Sequence, residues 1–342
     1  MAANPGIPPR TGVRAPEFWQ RRGSALSRLL QPAGMAYAAA GALRRALSRP
    51  FHASAPVVCV GNLVAGGAGK TPTAIAVARW YAGRGLAAHF LTRGYGGRIA
   101  GPYRVDPAKD TADGVGDEAL LLAARSPTWV ARDRAAGARA ACAAGAQILV
   151  MDDGFQNPGL AKTLSLLVVD GGQGFGNGRV IPAGPLREPV QAGLGRAHGV
   201  VLVGDDMLGV RAAIGDRLPV LTARIVPGPD AGRYKGERVA AFAGIGRPAK
   251  FYDTLRALGA QVVATRDFPD HYRYKPEDVM GMVEHAAKRD AVLITTAKDA
   301  VRLPGGALNM VHVLGIELTF DDPQLAGAVL AQAMPKAVHG AR

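Results

Sequence analysis

Val58-Cys-Val-Gly-Asn-Leu-Val-Ala-Gly-Gly-Ala-Gly-Lys-Thr-Pro72 decides how the rest of the chain is read. A short apolar run ends in a glycine-rich turn, and the turn delivers Gly69-Lys70-Thr71 to an alanine-rich helical stretch at 74–81. Backbone amides in such a turn converge on phosphate oxygens, and the helix N-terminus adds a favourable dipole. The pattern assigns Val64, Ala65, Gly66, Gly67, Ala68 and Gly69 to a phosphate cradle. Lys70 reaches the β- and γ-phosphates, and the Thr71 hydroxyl is a ligand for Mg²⁺. A standard loop of this kind has glycine five positions before Gly69, where this chain has Val64. The strand–loop–helix context still implies a nucleoside triphosphate site.

A second apolar run, 148–151, ends in Asp152 and Asp153. Carboxylates at the carboxyl end of a buried strand are where phosphate-loop proteins orient the metal, and where open α/β sheets bind ligands. Around these two segments apolar runs at 57–60, 88–91, 128–131, 164–169 and 200–203 alternate with helical patterns at 73–83, 117–124 and 134–144. That alternation implies a parallel sheet covered by helices on both faces. A proline- and glycine-rich stretch, 227–232, reads as a linker. Beyond it strands at 239–242, 261–264 and 291–295 alternate with helices at 250–258 and 276–288. The expected fold class is therefore α/β: a parallel-sheet domain of the phosphate-loop NTPase type over 50–226, a smaller α/β domain over 227–342, and an N-terminal amphipathic segment over 1–49.

That N-terminal segment holds eight arginines and one acid, Glu17, a surplus of +7 out of a chain total of +14. Leu26, Leu29, Leu30, Met35, Tyr37, Leu43 and Leu47 lie between the arginines. The uncharged run from 29 to 43 is shorter than the ~20 residues a membrane span needs. Basic charge interleaved with large apolar residues suits the anionic surface of a membrane. A basic helix that merely covers its own domain is the competing reading. No helix-turn-helix, zinc-finger or RNA-binding signature accompanies the charge, so nucleic acid is not an expected partner. Cys59 and Cys142 lack metal-ligand spacing and read as buried thiols in a reducing compartment.

Six further segments complete the pattern: Arg93-Gly-Tyr-Gly-Gly97, Gly116-Asp-Glu118, Gly174-Phe-Gly-Asn-Gly178, Pro182-Ala-Gly-Pro-Leu-Arg-Glu188, Phe268-Pro-Asp-His271 and Thr295-Thr-Ala-Lys-Asp299. In this order, with the phosphate loop, they resemble the tetraacyldisaccharide 4′-kinase family of lipid A biosynthesis from about residue 14 onward. Ala297 stands where that family usually has glutamate.

The resemblance implies transfer of the ATP γ-phosphoryl group to the 4′-hydroxyl of an acylated glucosamine disaccharide 1-phosphate, giving lipid IVA. It implies ATP and Mg²⁺ as cofactors. The place of work is the cytoplasmic face of the bacterial inner membrane, with peripheral or monotopic attachment and no obligate protein partner. Catalytic roles fall to Lys70, Asp117 and His271, with Asp117 as the base that takes the hydroxyl proton and His271 orienting it. Thr71, Asp152, Asp153 and Glu188 face the metal. Arg93, Glu118, Asn157 and Arg187 face substrate or phosphate. Read without the resemblance, Asp117 also fits a helix N-cap and His271 a hydrogen-bonded loop histidine. A regulatory GTPase or metallochaperone is the competing function. Guanine recognition wants Asn/Thr-Lys-x-Asp, and Thr296-Ala-Lys-Asp299 places the lysine one position late.

Overall fold

The computed structural model describes residues 16–21 and 23–335. Arg10, Arg14 and Arg22 of the basic segment lie outside the described residues. In chain order the large unit contains α1 (Ala25–Leu29), α2 (Gln31–Leu47), β1 (Val57–Gly61), α3 (Lys70–Ala82), β2 (Ala88–Thr92), β3 (Tyr103–Arg104), α4 (Ala112–Val115) and α5 (Asp117–Ala123). It continues through β4 (Thr128–Val130), α6 (Arg134–Ala143), β5 (Ile148–Asp152), β6 (Leu164–Asp170), α7 (Val190–Leu194), β7 (Gly199–Val203), α8 (Val210–Ile214) and β8 (Val220–Pro227). Next come β9 (Arg238–Ala243), α9 (Pro248–Ala257), β10 (Gln261–Asp267), α10 (Pro276–Ala287), β11 (Val292–Thr296), α11 (Ala297–Ala300) and β12 (His312–Leu314). The chain closes with β13 (Ile316–Phe320) and α12 (Pro323–Ala331).

Nine strands form the large sheet in the order β13-β8-β7-β6-β1-β5-β2-β4-β3. The pairs from β8 through β4 are parallel, and β3 runs antiparallel to β4. Strand β1 is buried on both faces. Its Val58 and Val60 join one core with Ile148, Val150 and Leu166, while Val57 and Cys59 join the other with Leu149, Met151 and Leu167. Period-two alternation inside a continuous apolar run is what a doubly covered parallel strand requires. The register sets Val60 opposite Asp152, so the strand that enters the phosphate loop lies beside the strand that presents the acid.

The smaller unit spans Pro227–Ile316 around a four-stranded sheet, β10-β9-β11-β12, all parallel. Two departures from the sequence reading appear. Residues from Glu317 onward cluster with the large unit rather than the small one. Strand β13 neighbours β8, and α12 buries Ala326, Val329 and Leu330 in the core that also holds Tyr81, whose hydroxyl donates to Leu330 O at 2.7 Å. The stretch 227–232 is no loose tether either. Pro229–Tyr234 forms a 3₁₀ turn with Ala231 and Tyr234 buried, anchored by Gly228 N–H to Gly315 O at 2.8 Å. Cys59 is buried, and Cys142 is only partly so.

Candidate functional site

Three restraints shape the phosphate loop. Gly69 adopts φ +86°, a left-handed turn that only glycine takes without strain, and so opens α3. Val64, in place of the usual glycine, forms an antiparallel bridge with Leu186, flanked by Ala65 N–H to Pro185 O (2.8 Å) and Arg187 N–H to Leu63 O (2.7 Å). Asn62, fully buried, donates to Val64 O (2.7 Å) and Gly66 O (3.2 Å) and moors the loop from beneath. Gly66 and Gly67 are exposed, and Ala68 packs into the core. The Pro182–Glu188 segment is therefore a brace for the loop, and Asn62 is a residue the sequence reading passed over.

The cation and acids expected from sequence meet here. Lys70 Nζ donates to Gly66 O at 3.3 Å and lies 3.8 Å from Asp153. Thr71 Oγ1 donates to Asp152 Oδ2 at 2.9 Å. Asp153 accepts from Arg187 at 3.1 and 3.3 Å, and Arg187 also reaches Gln156 Oε1 at 3.4 Å. Asp152 is buried, and its Oδ1 has no hydrogen-bond partner among the described residues.

Burial, and then the negative charge of Glu118, push the Asp152 carboxyl up to about 7, against the pull of Lys70 and the Thr71 hydrogen bond. A carboxyl raised in the folded state holds a proton that the unfolded chain has already lost between about pH 4 and 7. Folded stability is then lost as pH rises through that window. Asp152→Asn keeps an acceptor for Thr71 and removes the titration. The metal-free variant is expected to melt above the wild type at pH 8, with the difference vanishing by pH 4. A wild-type melting advantage at pH 8 in the presence of a chelator contradicts this electrostatic account.

Asp117 is the first residue of α5, half-buried; the N-cap position is Gly116, at φ +91°. This places Asp117 one residue inside the helix rather than at the cap. Glu118 follows, close enough to act on Asp152. Backbone bonds from Arg98 N–H to Asp113 O (3.2 Å) and Ile99 N–H to Gly114 O (2.9 Å) lace the Arg93–Gly97 turn to the segment before Asp117. Arg93, exposed at the end of β2, lies near Arg134 and lowers its pKa. Arg134, buried at the start of α6 and held mainly by desolvation at about 10, was not foreseen. Asp152 and Asp153 act on it in the opposite direction.

Two further sequence candidates have local partners. Asn157 accepts from Gly159 N–H at 3.0 Å, and its carbonyl accepts from Lys162 Nζ at 2.5 Å, so its oxygens serve the local turn. Glu188 is buried against Arg196, with Arg45 Nη1 3.5 Å away and Gln156 Nε2 donating at 3.2 Å. Its carboxylate meets two guanidinium groups and an amide.

In the smaller unit His271 sits at φ +60°, its amide held by Gly244 O (3.3 Å) and Asp270 Oδ1 (3.0 Å). Its ring Nε2 is 3.9 Å from Asp270, whose carboxylate also meets Lys298 at 3.4 Å. Beneath the turn, buried Asp299 accepts from Gly244 N–H (2.9 Å), Tyr274 OH (2.8 Å), Thr296 Oγ1 (2.6 Å) and Arg302 (2.9 Å). The Thr295–Asp299 motif thus holds the histidine turn in shape, and Ala297, at the head of α11, takes no part in it. Asp117 belongs to the large unit and His271 to the small one.

Residues 26–334 match the family model described as tetraacyldisaccharide-1-P 4′-kinase. The tetraacyldisaccharide 4′-kinase of Rhodospirillum centenum is 55% identical over 324 residues, covering 93% of this chain and 96% of the relative. That of Rhodospirillum rubrum is 55% identical over 315 residues, with 91% and 95% covered. Among solved structures, the "apo" form of LpxK from Aquifex aeolicus in complex with ATP superposes with a TM-score of 0.73 at 23% identity. That match covers 91% of this chain and all of the other, and shows that the fold is shared.

Proposed function

The chain belongs to the tetraacyldisaccharide-1-P 4′-kinase family and is an ATP-dependent tetraacyldisaccharide 4′-kinase; from that premise we propose how its residues divide the work. The observation that carries the assignment is the convergence of Lys70, Thr71, Asp152, Asp153 and Arg187 at the carboxyl ends of two neighbouring strands. Phosphoryl transfer depends on positioning and on neutralising charge spread over the γ-phosphate. Loop amides and Lys70 bind the ATP phosphates, and Arg187 orients Asp153.

Mg²⁺ fits the site. The partnerless Asp152 Oδ1 beside the Thr71 hydroxyl is a buried all-oxygen pair of the kind that a hard dication favours. When bound, the ion supplies charge neutralisation across the phosphates. Thr71 and Asp152 would hold it, with Asp153 nearby. Asp117 takes the proton of the 4′-hydroxyl, and His271 has the orienting role that the family resemblance implies. Arg93, Glu118 and Arg134 line the approach to the acids.

The enzyme works on a lipid whose acyl chains stay in a bilayer, and α2 supports docking at an anionic membrane surface. The inward positions of α2 are Gly34, Ala38, Gly41 and Arg45. A Cβ at Gly34 would lie 2.7 Å from Val180 O, so the close approach requires glycine. The large side chains of α2 point the other way: Met35 is 66% exposed, Leu43 60% and Leu47 75%, and Leu29 at the end of α1 is 76% exposed. A helix that buries small residues and exposes large apolar ones is arranged for a partner with hydrocarbon character. Asn177 pins the segment by donating to Phe18 O (3.2 Å), Ser27 Oγ (3.0 Å) and Ala183 O (3.0 Å), while Ser27 Oγ donates to Ala183 O at 2.6 Å. No helix among the described residues is long and apolar enough to cross a membrane. We assign the enzyme to the cytoplasmic face of the inner membrane, attached by this surface.

Leu29→Asn, Leu43→Asn and Leu47→Asn combined are expected to weaken cosedimentation with anionic liposomes at least tenfold. Each buried leucine is worth ~1.5–3 kcal/mol, and each ~1.4 kcal/mol is tenfold. High salt should weaken wild-type binding without abolishing it. Unchanged cosedimentation of the folded triple variant rules out this face as the anchor.

A further inference from the structure

Arginine is an odd choice for the inward face of a helix whose other inward residues are glycine and alanine. Arg45 lies along Gly41, where a Cβ would stand 3.6 Å from its Nη1, and its side chain is 20% exposed. Its guanidinium points at Glu188 Oε2, the oxygen that Arg196 also holds. Arg196 is itself fixed, stacked over the Phe155 ring at 4.5 Å and donating to Ala192 O and Phe155 O. With both cations on Oε2, Glu188 Oε1 is left to accept from Gln156 Nε2. That bond, together with Gln156 Nε2 to Asn62 O at 2.9 Å, decides which way the Gln156 amide faces. Its oxygen then meets Arg187, Arg187 meets Asp153, and Asp153 meets Lys70. Arg44 donates to Gln156 O at 3.1 Å and holds the backbone of the same residue.

We propose that Arg45 is a positioning residue for the phosphoryl transfer: it links the membrane-facing helix α2, through Glu188, Gln156 and Arg187, to the acid and lysine at the phosphate loop. Helix α2 is then part of the catalytic unit and not a detachable anchor. The physical driver is the buried carboxylate. A desolvated Glu188 that loses one of its two cations must turn toward the remaining one, and that change releases Gln156. The disturbance reaches Arg187 and Asp153 as misplacement, which costs rate at the transferring group more than it costs affinity for ATP. The proposal rests on the placement of Lys70 and its neighbours against phosphate. Wild-type turnover, and its loss in Lys70→Ala, check that reading in the same assay, so a failure for Arg45 variants speaks to Arg45 alone.

The test uses the full-length enzyme with ATP, Mg²⁺ and detergent-dispersed tetraacyldisaccharide 1-phosphate, alongside liposome cosedimentation. Arg45→Gln is expected to lower kcat about tenfold while leaving KM for ATP within about twofold and liposome binding near wild type. Arg45→Lys, which keeps the charge, should recover most of the loss. In a Glu188→Gln background, Arg45→Gln should add little further loss, because the path it supports is already cut. Should Arg45→Gln fail to fold by circular dichroism, Arg45→Lys carries the same comparison in both backgrounds, with a residual loss of about twofold only where Glu188 is intact. An unchanged kcat, an equal loss in both Glu188 backgrounds, or a loss that tracks liposome binding overturns the proposal.

Discussion

Lys70→Ala is expected to abolish most turnover, by about 10²–10³-fold or more in kcat, in a protein that still folds. The magnitude follows from removing a preorganised cation from the group being transferred, where each ~1.4 kcal/mol is tenfold in rate. Folding should survive because α3 keeps its buried face without the lysine. Its Nζ contacts a loop carbonyl and Asp153, while α3 is held by Thr73, Ala74, Ala76, Val77, Ala78 and Tyr81 on its buried face. Alanine is moreover a strong helix former at the first helical position. Steady-state kinetics with a circular dichroism melt separates the two possibilities. Near-normal turnover by a folded Lys70→Ala protein would remove the lysine from the phosphates and the site with it.

Asp117→Ala comes next, with an expected loss of ~10²–10⁴ in kcat and a small change in KM for ATP, since the base acts on the acceptor hydroxyl. His271→Ala should resemble it in kind and be smaller in size, because an orienting group acts through the base. If the two residues work as a unit, the double variant is little worse than Asp117→Ala alone. Independently multiplying losses would give the histidine a separate task. The folds of both variants should be secure: Asp117 lies at a helix start that Gly116 already turns, and the hydrogen bonds of Asp299 hold the histidine turn. The comparison then reads chemistry, not unfolding.

Much of the large sheet was legible because a doubly covered parallel strand writes itself as an unbroken apolar run, as 57–60, 148–151 and 164–169 do. That the phosphate loop lies beside the strand ending in Asp152 and Asp153 was legible for the same reason. Once the loop follows one such strand and the acids end another, adjacency in the sheet brings them together. What stayed hidden were elements whose partners lie far along the chain. Strand β13 and α12 follow a long excursion through the smaller unit, and nothing in Ile316–Phe320 says that β8 is its neighbour. On sequence grounds the arginines of α2 suit an anionic membrane surface or a helix that covers its own domain, and the inward turn of Arg45 onto Glu188 depends on the small residues above it. Arg134 did leave a signal: an arginine at the first position of a helix opposes the dipole and needs nearby negative charge to explain it. Asn62 left one too, as the polar residue between an apolar run and a glycine turn.

Transfer of label from γ-³²P-ATP to tetraacyldisaccharide 1-phosphate, with the position of the new phosphate read by mass spectrometry, tests the central claim most directly. The account predicts a monoester at the 4′-oxygen, formed by the wild type, lost in Lys70→Ala and nearly lost in Asp117→Ala. Label released as free phosphate at a rate indifferent to the lipid, or a lipid product that persists without Lys70, would contradict it.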